Sequence, residues 1–190
     1  MTETISDKST VVPKLEPLVL RLSTDQLINF FPLLQKGVTV PAVVGCTLRS
    51  LLRDQFAIPD DYITDRITTI FLDNSPVDDL DRTIIHNGSR VTLSAAMPGL
   101  VGATMRRGGY YAALREGISH ALESVTTAGE YGTVSVKLFN LLLAELGPLV
   151  LARGLILEHD ELNELMKYLP VRQDLPAGIY RVFLTALFRE

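Results

Sequence analysis

Ile70-Phe71-Leu72-Asp73-Asn74-Ser75-Pro76-Val77, then Asp78-Asp79-Leu80-Asp81, then Asn87-Gly88-Ser89-Arg90-Val91-Thr92-Leu93, is the run on which the expected fold turns. Thr69–Leu72 is β-branched and aromatic and predicts a strand. Asp73-Asn74-Ser75-Pro76 supplies turn residues directly after it. Asn87-Gly88 is the strongest hairpin signal in the chain, and Arg90–Ala95 alternates as a half-buried strand does.

Outward toward the N-terminus, Val38-Thr39-Val40 alternates between Gly37 and Pro41 and predicts another strand. Leu18–Leu22 is a short apolar run suited to a buried strand. Ser23 and Thr24 can cap a short helical turn through Leu27, Ile28, Phe30 and Phe31, which Pro32 would limit. Thr47–Phe56 is predicted as a helix begun at Cys46 or Thr47, with Leu48, Leu51, Leu52 and Phe56 on one face. Met1–Lys14 is polar, holds no apolar run of signal-peptide length, and reads as a loose tail.

Toward the C-terminus the character changes. Met97–Gly109 holds Pro98, Gly99, Gly102, Gly108 and Gly109 and reads as a connector. Tyr111, Leu114, Ile118, Ala121, Leu122 and Val125 then recur at helical steps. Thr126–Gly132 is a linker. Val136, Phe139, Leu143 and Leu146 mark a further helix ended by Gly147, with Pro148 starting a short successor that closes near Gly154. Asp160–Leu169 is helical again. Ile179, Val182, Phe183, Ala186 and Leu187 fit a final helix, although their β-branched and aromatic content leaves a strand open. No internal repeat stands out. The expectation is an α+β chain with strands in its first half and a helical C-terminal region: a tail over 1–14, a sheet domain over 15–98, a connector over 99–110 and a helical domain over 111–190.

Composition narrows the classes. The 190 residues are 47% hydrophobic and carry a formal charge of -4, enough apolar matter for a core without staples. The charge argues against a general affinity for nucleic acid or an anionic membrane. Val134–Leu157 is too interrupted by charged residues to span a bilayer, and a cytoplasmic location is expected. Cys46 stands alone, so no intrachain disulfide forms; it reads as a structural thiol, since a reactive one needs a basic neighbour and Arg49 supplies that only weakly. His86, His120 and His159 are scattered without zinc spacing. The acidic clusters Asp60, Asp61, Asp65 and Asp78, Asp79, Asp81 lack an EF-hand's spacing and glycine. No nucleophile elbow anchors a triad. Neither a catalytic residue, a metal site nor a cofactor is therefore predicted.

Taken together, Val38-Thr39-Val40, Cys46-Thr47-Leu48-Arg49-Ser50-Leu51-Leu52, Ile70–Val77 and Asn87–Leu93 resemble the MoaD/ThiS family of small, ubiquitin-like β-grasp sulfur carriers. The resemblance covers roughly Leu18–Gly102. It implies a sheet wrapped around one helix, whose apolar stripe would be Leu48, Leu51, Leu52 and Phe56, and a centrally placed last strand. Carriers of that family end in Gly-Gly, whose carboxylate is adenylated and converted to a thiocarboxylate. Here the chain runs on to Glu190, and a peptide-bonded glycine has no carboxylate to activate.

The connector admits three readings. It is a linker using glycine for its backbone freedom. Or Arg106-Arg107-Gly108-Gly109 is a processed tail, cleaved at Gly102 or Gly109 to give a carrier. Or Gly99, Gly102, Arg106, Arg107, Gly108 and Gly109 form an anion or nucleotide site before the Tyr111 helix, although P-loop and GxGxxG spacings are lacking. Tyr110, Tyr111, Phe139 and Phe183 are expected interface aromatics. The leading expectation is a non-catalytic binding or assembly protein that engages a protein partner or a second copy of itself.

Overall fold

Period-two burial places the strands. The computed structural model describes residues 16–118, 129–169 and 181–189. In β1 (Glu16–Ser23) Leu18, Leu20 and Leu22 are buried, while Val19 and Arg21 are exposed. In β2 (Val38–Val44) the even-numbered residues are buried. With β3 (Thr69–Leu72), β4 (Ser75–Pro76), β5 (Arg90–Ser94), β6 (Glu130–Phe139), β7 (Leu155–Glu158) and β8 (Arg181–Arg189) they form one eight-stranded mixed sheet, ordered β1-β8-β7-β2-β6-β5-β3-β4. β1 pairs with β8 and β5 with β6 in parallel; the other pairings are antiparallel. Asp73 (φ 49°) and Asn74 (φ 71°) both adopt positive φ, the requirement of a two-residue hairpin turn matched to strand twist. The sheet ends on one side at the two-residue β4 and on the other at the eight-residue β1.

A 3-10 turn (Thr24–Phe30) leads into α1 (Phe31–Lys36). α2 (Leu48–Ser50) is capped by Thr47, whose Oγ1 accepts from the Ser50 N–H, and continues as a π-helical turn over Leu51–Gln55. α3 (Asp60–Asp65), α4 (Gly99–Met105), α5 (Leu142–Arg153) and α6 (His159–Met166) are the other α-helices among the described residues. Leu48, Leu51, Leu52 and Phe56 are all buried, as the stripe required, and join Phe30, Leu34, Val40, Val136 and Leu146 in a single core.

Beyond Thr39, which pairs with Ile156, β2 loses β7 as a neighbour, and side chains take over that flank. The Gln55 amide accepts from the Val43 N–H (2.8 Å) and donates to the Val43 carbonyl (2.8 Å), much as a strand would. Arg153 donates to the Pro41 carbonyl and to the Gln55 backbone carbonyl, and its guanidinium lies 5.4 Å over the Phe56 ring. Pro41, which has no N–H, is tolerated within the sheet because no ladder partner is needed there.

Among the described residues, the expected helical region over 111–190 holds three strands, β6, β7 and β8. Val136 and Phe139 lie in β6, where Val134, Val136 and Leu138 are buried and Ser135, Lys137 and Phe139 are half-buried. The helical spacing drawn from Val136 to Leu146 crosses Asn140, whose φ of 57° breaks the strand before α5 begins. Gly147 and Pro148 do not divide α5. A Cβ at Gly147 would sit 3.2 Å from Leu34 Cδ1, so the glycine marks close packing on α1. Pro32 likewise starts α1 instead of ending a helix. Phe183, Ala186 and Leu187 lie in strand β8. Gly88 turns with φ 83°, but the turn leads into β5, whose partners are β3 and β6, so it closes no hairpin. Residues 112–118 form a 3-10 helix. Met1–Lys14, His120, Ala121, Leu122, Val125 and Ile179 lie outside the described residues.

α3 is tied to α5 by a polar triangle. Glu145 accepts from Tyr62 Oη and from Arg66 Nε (2.9 Å) and Nη2. Arg66, and then Tyr62, hold the Glu145 carboxyl down to about 2, while burial and the carboxylate push the Tyr62 phenol up to about 12. The depressed carboxyl contributes stability above its ordinary value of 4.5 that is lost as pH falls toward 2. The raised phenol contributes stability below 10 that is lost as pH climbs through 12. Glu145→Gln is expected to flatten the acid limb and to shrink the alkaline one, where burial of Tyr62 persists, at a cost within about 1 kcal/mol at neutral pH, the scale of a surface pair. Urea unfolding at acid, neutral and alkaline pH checks it; unchanged limbs count against the triangle.

Candidate functional site

The connector is an ordered element packed on the sheet domain. α4 occupies Gly99–Met105, and a Cβ at Gly102 would lie 1.8 Å from the Met97 carbonyl oxygen, so only glycine fits. The N–H of Gly102 bonds the Pro98 carbonyl and that of Gly109 the Arg106 carbonyl. Gly99 (φ 73°) and Gly108 (φ 61°) face open space.

The two arginines expected to hold an anion have separate surroundings. Arg107 donates from Nη2 to the Ile63 carbonyl (2.7 Å) and the Thr64 carbonyl (3.4 Å), and its backbone N–H donates to Thr68 O. It thereby caps α3, and burial pulls its guanidinium below the usual value. Arg106 is exposed. The residue that organises this segment is Arg115, which sequence reasoning passed over. Its side chain is 1% exposed and makes a bidentate pair with Asp78: Nη1 to Oδ2 (2.8 Å) and Nη2 to Oδ1 (2.7 Å). Its Nε donates to the Thr104 carbonyl (2.7 Å). Parallel, fork-shaped donation of this kind fixes orientation as well as energy. A buried arginine thus clamps α4 and the 3-10 helix onto the turn after β4.

Several large apolar side chains of the clamped segment stand exposed. Leu100, Val101, Tyr110, Tyr111 and Leu114 are all exposed, Tyr110 at 92% and Leu114 at 75%. Tyr110 and Tyr111 meet edge to face, with centroids 5.1 Å apart. Phe139 and Phe183 are half-buried in β6 and β8, and the Phe183 ring fills the space beside Gly154, so the four expected aromatics divide between a surface pair and two sheet residues. Large apolar side chains grouped on a surface mark contact sites more often than single ones do.

A concavity of about 530 Å³ lies between α1 and α6. Ile28, Pro32, Leu33, Leu165 and Tyr168 line it, and an ion pair from Lys36 to Glu161 (2.8 Å) ties its walls. Arginine engages at least one member of each acidic cluster: Arg49 binds Asp60 and Asp81, and Arg53 also faces Asp60. Among the described residues no group of three metal-ligating side chains converges. Cys46 Sγ donates to the Val43 carbonyl and accepts from Gln55 Nε2, and burial pushes the thiol up. No helix among the described residues is long and apolar enough to cross a membrane. Comparison with protein-family models, with curated proteins and with solved structures gave no match to this chain.

Proposed function

We propose that the chain is a non-catalytic binding or assembly protein built on a β-grasp-like core, docking a protein partner or another copy of itself through the connector. The β-grasp reading is supported by β2, the α2–π segment, β3, β4 and β5, with β5 lying inside the sheet and the helical stripe buried against it. The observation that carries the functional reading is the clamped connector. Arg115 and Asp78 fix a segment whose outward side chains are Tyr110, Tyr111 and Leu114; apolar groups so held lose little freedom on binding.

The test replaces Tyr110 and Leu114 by serine together. Surface changes of this kind shift stability by about 0.5 kcal/mol or less, so the melting temperature is expected to hold. Light scattering and recovery of a co-purifying partner are expected to report lost association. A wild-type chain that scatters as a monomer at every concentration and brings down no partner would sink the proposal.

Cleavage to a sulfur carrier is a second reading, favoured by the exposure of Gly108 beside Arg106-Arg107. It is opposed by chain order, because β6, which joins β5 to β2, follows Gly109. A single intact species of 21.0 kDa from the native cell removes this reading.

A further inference from the structure

Two stretches of the chain repeat one pattern. Leu18, Leu20 and Leu22 of β1 are buried as Val134, Val136 and Leu138 of β6 are, with Arg21 standing where Lys137 stands. Five and eight residues past each strand's last buried leucine stand buried helical positions, Leu27 and Phe30 in one stretch and Leu143 and Leu146 in the other, although Leu142 is buried where Gln26 is half-buried. Pro32-Leu33 matches Pro148-Leu149, and with one residue inserted Gly37 matches Gly154.

The backbone agrees independently. Both glycines end their helices outside the ordinary regions, Gly37 at φ 113°, ψ 131° and Gly154 at φ 100°, ψ 140°. A strand with buried Val38 and Val40, or Leu155 and Leu157, follows each. Where the two second strands meet, Thr39 pairs with Ile156, its own equivalent, as elements related by a local twofold do.

The first strands do not stay with their own repeats. β6, first strand of the second repeat, lies between β2 and β5 and runs parallel to β5, the last strand before the connector. β1, first strand of the first repeat, runs parallel to β8, the last strand of the chain. The arrangement is not symmetrical in detail, since β1 lies outside β8 whereas β6 lies between its partners. We infer that the chain is a tandem pair of strand–helix–strand–helix repeats that have exchanged first strands, so that each half is completed by the other. Exchange of identical elements is a low-cost way of joining two units. The inference concerns how the halves are joined and does not depend on what the connector binds.

Two arms test it. In the first, a protease recognition sequence is inserted between Gly108 and Gly109, where Gly108 faces open space, and the folded chain is cut. Both fragments are expected in a single native gel-filtration peak, separating only in denaturant; fragments that part in native buffer overturn the inference. In the second, Val19→Cys and Thr185→Cys, register partners in β1 and β8, are introduced with Cys46→Ser into the uncut chain. Neighbouring strands place Cα atoms within disulfide range, so mild oxidant is expected to consume both thiols, and after cutting in the first-arm background the bond is expected to join the fragments on a non-reducing gel. A pair that stays reduced in a chain melting like wild type overturns the exchange even if the first arm succeeds.

Discussion

A chain stopped at Gly109 is expected to show no cooperative melting transition. It would keep β1 to β5 and α1 to α4 but lose β6, which supplies the ladder between β2 and β5. β2 would have neither sheet neighbour, and β1 would lose β8. Val38, Val40 and Ala42 would lose the cover of Val134 and Val136, and Leu34 that of the α5 face. Exposing a buried aliphatic side chain costs about 1.5–3 kcal/mol, so a handful exceeds the stability of about 5–15 kcal/mol typical of a domain. Circular dichroism on the truncated chain checks this. A sharp melt would show that the first half folds without β6, and it would revive the processed-carrier reading.

Gly154→Ala is expected to be strongly destabilising, costing more than about 3 kcal/mol by combining backbone strain with a clash. The residue sits at φ 100°, and a Cβ there would lie 2.1 Å from Cζ of Phe183. Gly108→Ala is the control: its φ is 61° but no atom lies within 4 Å of the added carbon, and the left-handed conformation alone costs about 1–2 kcal/mol. Adding Phe183→Leu to Gly154→Ala should recover the clash component and leave the backbone one. Denaturant unfolding of the four chains separates the two. A loss at Gly154 no larger than that at Gly108 contradicts the packing described.

What the sequence made legible were short elements whose burial is set locally. Thr69–Leu72 and Arg90–Ser94 are strands because their alternation matches one buried face, and Leu48, Leu51 and Leu52 are buried because a capped helix has one inward stripe. The misreading of β6 has a physical origin: Val134, Val136 and Leu138 carry a period of two, but Phe139, Leu143 and Leu146 continue it at helical steps, and only the positive φ of Asn140 separates the patterns. The repeat escaped notice because equivalent positions share burial more than identity, as Phe30 and Leu146 do. At the connector, glycines and arginines suggested an anion site, whereas Arg107 caps carbonyls of α3. The clamp was invisible because Asp78 and Arg115 are brought together by the fold and by no spacing along the chain.

The unequal rims of the sheet bear on how copies of this chain can accumulate. One rim is Ser75-Pro76, too short to template anything and partly without an amide hydrogen. Among the described residues the other is Glu16–Ser23, open at full length. A body with a single adhesive border can pair with its like and then has nothing left to recruit a third, so crowding through main-chain contacts ends in a closed couple and never in an open-ended fibre.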